Sequence, residues 1–579
     1  MIVPLVYLLS LAGGAAVGLS RLCRGRGRDP LERFRAATTP LVAGLFAWGL
    51  VREVVIAPSW EWNNVRLAPA FALARGLEIY SRPGRGAALS TMYGPISAVA
   101  YLPATLASSP TVALLVGCGL SLGYYFLPVV ALYAIASRRG RSPSPSWGEA
   151  SATEPGDGST ASFLYAFAVF GIVSLDLPSL NYSAGRVHAD APALGLAMAA
   201  CGALLAGRDG ASAALAWLSV LTKQTMLPIV AVLPIWVLLT AGRRAFGRYL
   251  LRLALAGGLL LAATLAWFDA RALAFNVLTV PGRYPWKGRF PTNLMHAELG
   301  LLRECLIFLV ALIAGAVPRR SRGDGGGGPP RRRRLAENPW CLLGIVGVAM
   351  IPVSVLGFVK EGGVENCYSP TTYFLAAAFV LMAAQLLRPD RRVGPPRRGV
   401  RRLLETLTIA GVSVYLVIVV QAVTIHVIGL RLVRPRVNRP QVASDYLRRH
   451  PGAAYFPGQP LAHLMAEGRL YHFLGALHER RAAGIPVGEG LARAHVPPGF
   501  ETVCYSTATT ETYGDELRRE FLRDYSVAVA IPELPGFACY RKPEPTPGPS
   551  RPRPPPSEQL RDGGESRRHR SITRSTSPG

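Results

Sequence analysis

From residue 38 to residue 428 the sequence is a succession of apolar runs. Most lie close to the ~20 residues that a helix needs to cross the hydrocarbon core of a bilayer. The runs are 38–57, 110–136, 162–178, 190–206, 211–222 with 225–241, 249–268, 299–317, 340–358, 370–387 and 403–428, and another occupies 2–20. With half of the residues hydrophobic and gathered in such blocks, the chain reads as a polytopic α-helical membrane protein of about twelve spans.

The separators between the runs are unequal. Segments 21–35, 138–141, 243–252, 319–334 and 388–402 are dense in Arg, whereas 58–109, 179–189, 269–298 and 359–369 are less so. Cytoplasmic loops collect Arg and Lys, so the first set is assigned to the inside and the second to the outside. This alternation explains the formal charge of +28 without nucleic acid, which is excluded as a partner. Membrane lipids remain as partners. No basic residue precedes the run 2–20, so it reads as an anchor with an extracytoplasmic N-terminus, not a cleaved signal.

Beyond Gly429 the chain turns soluble. Residues 430–542 mix β-prone runs (AAYF, ETVCYS, SVAVAI, FACY) with the helical GDELRREFLRDY, a small extracytoplasmic α/β domain with room for a modest core. The Pro-, Arg- and Ser-rich tail 543–579 and the GGGG/RRRR loop 319–337 read as disordered, the loop being cytoplasmic. Of eight cysteines, Cys504 and Cys539 form the one pair in a soluble region. A disulfide there is left open, and the cysteines show no metal-ligand spacing. No cofactor is called for with certainty, and a divalent metal is left open. All but four of the 63 basic residues are Arg, a skew typical of GC-rich genomes. It points to the plasma (inner) membrane of a bacterium.

The outer loop 58–109 carries the first candidate chemistry. Trp60-Glu61-Trp62 follows a span, and tryptophan favours the headgroup layer, which puts Glu61 at the membrane surface. Asn63, Asn64 and Arg66 follow it. Val65–Leu77 has apolar residues at helical spacing and reads as an interfacial helix. Tyr93–Pro103 is apolar but too short to span, as in a re-entrant segment. An acid held over such a cradle can act on a lipid headgroup.

Three further features share this face: Arg186-Val187-His188-Ala189-Asp190 at the lip of a span, Lys223 in a Thr-Lys-Gln turn, and Lys360 to Asn366 between two spans. An ionisable group at a span's lip is costly unless paired or facing water, so Asp190 is a functional candidate. A pair of Asp190 with Arg186 or His188 that merely fixes the helix end is the alternative. Lysine is a compact point charge suited to phosphate, and its scarcity here makes Lys223 and Lys360 candidates too.

The order of these features resembles the GT-C membrane glycosyltransferases, which use polyprenyl-phosphate sugar donors and include protein O-mannosyltransferases and lipid A aminoarabinose transferases. The resemblance spans about 38–430. It lies in the acid after an early span, ALARGLEIY, Tyr-Gly-Pro-Ile, GRVHADAPALGLAMAA, LSVLTKQTMLP and GGVENCYSPTTYFLAA. Members usually carry Asp or Asp-Glu where this chain has Trp60-Glu61. The resemblance implies a GT-C-like transmembrane domain over 1–429 and an inverting hexosyl or pentosyl transfer at the outer face. The acceptor would be an envelope glycan, lipid or protein. Glu61, with Asp190, would be catalytic; Arg66, Arg186, Lys223 and Lys360 would hold the phosphate; Asn63, Tyr93, His188 and Asn366 would position substrate. A transporter or flippase is the competing class, against which no repeated halves are seen. A non-catalytic scaffold presenting the C-terminal domain would leave the Glu61 loop without a use.

Overall fold

The computed structural model describes residues 30–56, 59–84, 89, 91–139, 157–316, 338–386, 420, 437–485, 499–507 and 523–543. The apolar run 2–20, the loop 319–337, most of the run 403–428, the GDELRREFLRDY segment up to Leu522 and the tail 544–579 lie outside them.

Helices form where the apolar runs predict them. They are α1 (Pro30–Val51), α2 (Trp60–Ala74), α3 (Pro110–Arg139), α4 (Asp157–Asp176), α5 (Pro178–Gly185), α6 (Asp190–Leu205), α7 (Asp209–Thr222) and α8 (Pro228–Ala241). Then come α9 (Arg243–Trp267), α10 (Phe290–Ala316), α11 (Pro339–Ala349), α12 (Ile351–Phe358) and α13 (Ser369–Leu386). Among the described residues six helical stretches are long and apolar enough to cross a membrane, or seven if the bent pair α4–α5 counts as one span. That is the pattern of an integral membrane protein. The bend of 97° falls before Pro178, which cannot donate to the preceding turn and sits instead at the first position of α5.

The outer surface of the bundle is apolar. Leu251, Leu255, Leu259 and Leu265 of α9, and Leu306, Ile307 and Ile313 of α10, are exposed. Water disfavours so large an apolar face, whereas lipid tails do not, since helices satisfy their own backbone groups. Inside, α3 packs on α6, α6 on α7, and α11 on α13. Gly195 makes the first contact close: a Cβ there would lie 2.1 Å from the Tyr124 carbonyl oxygen.

The C-terminal part holds α14 (Arg439–Arg449), α15 (Pro460–Glu467), α16 (Leu474–Ala482) and four short strands. These are β1 (Ala454–Tyr455), β2 (Thr502–Ser506), β3 (Val527–Val529) and β4 (Phe537–Arg541), in the order β1-β2-β4-β3. The β1–β2 pair is parallel and the other two are antiparallel. All four coincide with the β-prone runs of the sequence. Cys504 and Cys539 face each other in the β2–β4 register and are joined in a disulfide.

This domain packs on the bundle through α2, which α14 and α15 both touch. Asn64 donates to the Gly458 carbonyl at 3.0 Å and accepts from the Leu461 amide at 3.1 Å. Asn63 to Val65 and Leu67 to Ala72 are consequently all buried. The interfacial helix expected at 65–77 thus starts earlier, at Trp60, and is enclosed between the two domains instead of lying free on lipid.

Candidate active site

Four stretches far apart in sequence meet at one end of the bundle. Asp190, the first residue of α6, is fully buried. Its Oδ1 accepts from Lys223 Nζ, and its Oδ2 from Asn366 Nδ2 at 2.8 Å and His188 Nδ1 at 2.7 Å. Isolated, such a carboxylate would be prohibitively costly; three donors, one a cation, offset that cost. The chain breaks helix at each contributor. His188 lies between α5 and α6, Lys223 between α7 and the turn Gln224–Met226, and Asn366 in the turn Glu365–Tyr368 before α13.

His188 Nε2 faces the Tyr93 hydroxyl at 2.9 Å. The short contact to Asp190 assigns the proton to Nδ1, so Nε2 is the acceptor and Tyr93 donates. Burial pushes the His188 pKa down to about 4, against the pull of the Asp190 carboxylate, and keeps the imidazole neutral near pH 7. Tyr101 supports this arrangement from below, donating to the His188 carbonyl at 2.8 Å.

The Tyr93 loop is seated by its backbone. Tyr80 donates to the Tyr93 carbonyl at 2.7 Å, and Gln224 donates to the Met92 and Val277 carbonyls at 3.1 and 3.0 Å. At Gly94 the loop meets the end of α7 so closely that a Cβ would lie 1.8 Å from the Leu221 carbonyl oxygen. Glycine is required there by space.

Aromatic rings and cations surround the cluster. Trp62 stacks beside His188 at 6.0 Å between centroids, and Tyr182 meets both rings edge-on. The Arg66 guanidinium lies 4.6 Å from the Trp62 centroid and 5.5 Å from that of Tyr93, and Arg186 lies 4.4 Å over Tyr182. Such rings can pack on the C–H face of a sugar, and the cations beside them suit an anion. Among the described residues no group of three or more His, Cys, Asp or Glu could hold a metal ion.

No family model matches the chain, and no curated protein matches it. A solved structure does. The chain is similar to ArnT from Cupriavidus metallidurans in the apo state, with a TM-score of 0.44 and 15% identity, over 87% of this chain and 98% of that one.

Of the residues singled out in the sequence, Tyr93, His188, Asp190, Lys223 and Asn366 come together, with Arg66 and Arg186 on the rim. Asn63 is adjacent, accepting from the Val187 amide at 2.9 Å. Lys360 does not join them. It donates to the Pro281 and Gly282 carbonyls at 3.0 and 3.3 Å and lies over Trp286. Glu61 is turned toward the C-terminal domain, where its oxygens accept from Arg439 at 3.2 Å, Gln459 at 2.6 Å and Ser506 at 3.3 Å. The sequence reading missed these partners and also Glu479, whose carboxylate lies 3.8 Å from Arg66. They sit in the soluble domain, hundreds of residues from the loop they meet, and no local pattern marks them.

Proposed function

We propose that the chain is a membrane glycosyltransferase that moves a sugar from a polyprenyl-phosphate donor to an acceptor hydroxyl at the outer face of a bacterial inner membrane. The observation that carries this reading is the convergence of Tyr93, His188, Asp190, Lys223 and Asn366, drawn from the motifs whose order resembles the GT-C enzymes. A structural ion pair needs two of them, not five with an aromatic and cationic rim. The Cys504–Cys539 disulfide supports an extracytoplasmic soluble domain, since disulfides persist in oxidising compartments.

In this reading the acceptor oxygen attacks the anomeric carbon while the bond to the phosphate oxygen breaks, inverting the centre. The leaving phosphate monoester is already anionic, so it needs nearby cations more than a proton donor. Lys223 and Arg66 supply them, Asp190 orients Lys223, and Glu61 accepts the acceptor's proton.

A second base is favoured by one specific contact chain, Tyr93–His188–Asp190. There Asp190 would stabilise the imidazolium formed when His188 Nε2 takes the proton.

The test is sugar release by the purified chain from a labelled polyprenyl-phosphate sugar. Lys223→Ala should weaken donor use more than acceptor use, and Lys223→Arg should keep part of it. Sugar that stays on its lipid while the lipid changes leaflet would replace this reading with a flippase.

A further inference from the structure

The C-terminal domain reaches the candidate site through α16. Its Glu479 meets Arg66, and the next residue, Arg480, is 6% exposed. Arg480 donates to Asn276 Oδ1 at 2.5 Å, and its guanidinium lies 4.4 Å over the Phe275 ring. Asn276 is held in turn, donating to the Ser81 and Ala272 carbonyls at 2.8 and 2.7 Å. One residue on, the Val277 carbonyl accepts from Gln224, next to Lys223. Arg480 is therefore connected to the cluster through two hydrogen bonds and the backbone between them.

No ion pair among the described residues fixes its charge, and the neighbouring Glu479 acts on it only from beyond ion-pair distance. Among the described residues no carboxylate is within ion-pair distance of Arg480, and its Nη1 is buried without a hydrogen-bond partner. Glu479, beside it in sequence, is turned to Arg66. A buried guanidinium facing an amide oxygen and a ring is costly unless an anion completes it. The planar fork matches the oxygens of a phosphate better than a lysine would. Tyr284 reports the same crowding: burial pushes its pKa up, with Glu479, Tyr93, Arg66 and Arg480 all near enough to act on it.

We infer that Arg480 is a ligand for a phosphate group bound between the soluble domain and the membrane domain, so that the candidate site is incomplete without α16. This rests on the reading that the donor carries its sugar on a phosphate.

The experiment measures binding of a short-chain polyprenyl monophosphate to the full chain in detergent, beside the uncharged polyprenol and inorganic phosphate. Wild-type protein should bind the monophosphate more tightly than the polyprenol, and Arg480→Gln should lose about tenfold or more, the worth of a charge-assisted bond. Arg480→Lys should keep part of the affinity, and Arg481→Gln, on the exposed side of α16, all of it. Equal affinity in wild type and Arg480→Gln overturns this inference and leaves the transferase reading standing. Failure of the wild type to bind either phosphate overturns both. Binding of inorganic phosphate alone supports the anion site and removes the lipid donor. Should Arg480→Gln not fold, Arg480→Lys decides: a partial loss of monophosphate affinity with polyprenol affinity unchanged supports the proposal, and wild-type affinity overturns it.

Discussion

Two carboxylates at the same end of the bundle have different surroundings, and the difference sets what each can do. Asp190 is wholly buried with both oxygens taken by Lys223, His188 and Asn366, which suits holding a cation in place. Glu61 keeps 23% of its side chain exposed while Arg439, Gln459 and Ser506 hold it, so to act as base it must exchange one of these donors for the acceptor hydroxyl. Glu61→Gln keeps the shape and removes the proton acceptor, and sugar transfer should fall on the order of 10²–10⁴-fold, with Glu61→Asp retaining some turnover. Donor binding should persist, since the phosphate contacts are cationic. Full transfer by the Gln form, with a parallel loss in His188→Gln, would move the base to His188. At this scale the sequence was informative where a polar group sits at the lip of an apolar run, as with Asp190, Lys223 and Asn366, because such a group must find a partner. It was silent on Arg439, Gln459 and Ser506, which are 378 to 445 residues from Glu61 and come from ordinary polar surface. Lys360 passed the same test as Lys223 and yet caps backbone carbonyls; both uses of a lysine look alike in one dimension.

Six or seven of the twelve expected spans, among the described residues, and the four strands could be read from hydrophobic period and length, which depend on neighbours along the chain. The enclosure of α2 could not, because a helix facing lipid and one facing another domain show similar apolar stripes. The bend before Pro178 and the broken stretch after Tyr93, with single turns at Ile96–Val99 and Leu102–Leu106, bring His188 and Tyr93 to the same point. Gly94 is the tightest point of that arrangement. Gly94→Ala would force the Tyr93 loop off the Leu221 carbonyl, a steric cost on the order of 1–3 kcal/mol. Transfer activity should drop with it, and the detergent-solubilised protein should melt earlier than wild type in a fluorescence scan. An unchanged melting curve and rate would mean the loop is not seated as described.

At the scale of the whole molecule, the C-terminal domain is bound to the bundle by apolar packing and by polar contacts. Leu461 and Leu464 join the cluster around Leu67 and Phe71, and Phe473 with Ala476 meets Val65. Glu61 meets Arg439, Asn64 meets Gly458 and Leu461, and Thr111 meets Gln441 at 2.8 Å. Arg66 meets Glu479 as well. Every one of these contacts lies at the end of the bundle that also holds Asp190 and Lys223, so the domain and the candidate site must share a compartment. The proposed orientation puts that compartment outside the cell, opposite the Arg-rich start of α9. The placement can be checked with cysteines introduced at two exposed positions, Ala528 on the edge strand β3 and Arg244 in the first turn of α9. A membrane-impermeant maleimide applied to intact cells should label Ala528→Cys and leave Arg244→Cys unlabelled until the membrane is permeabilised. The described native cysteines outside the disulfide are buried or partly buried, which keeps the background low. The reverse pattern would turn Glu61, Lys223 and Arg480 toward the cytoplasm, and a donor presented at the outer leaflet could not reach them.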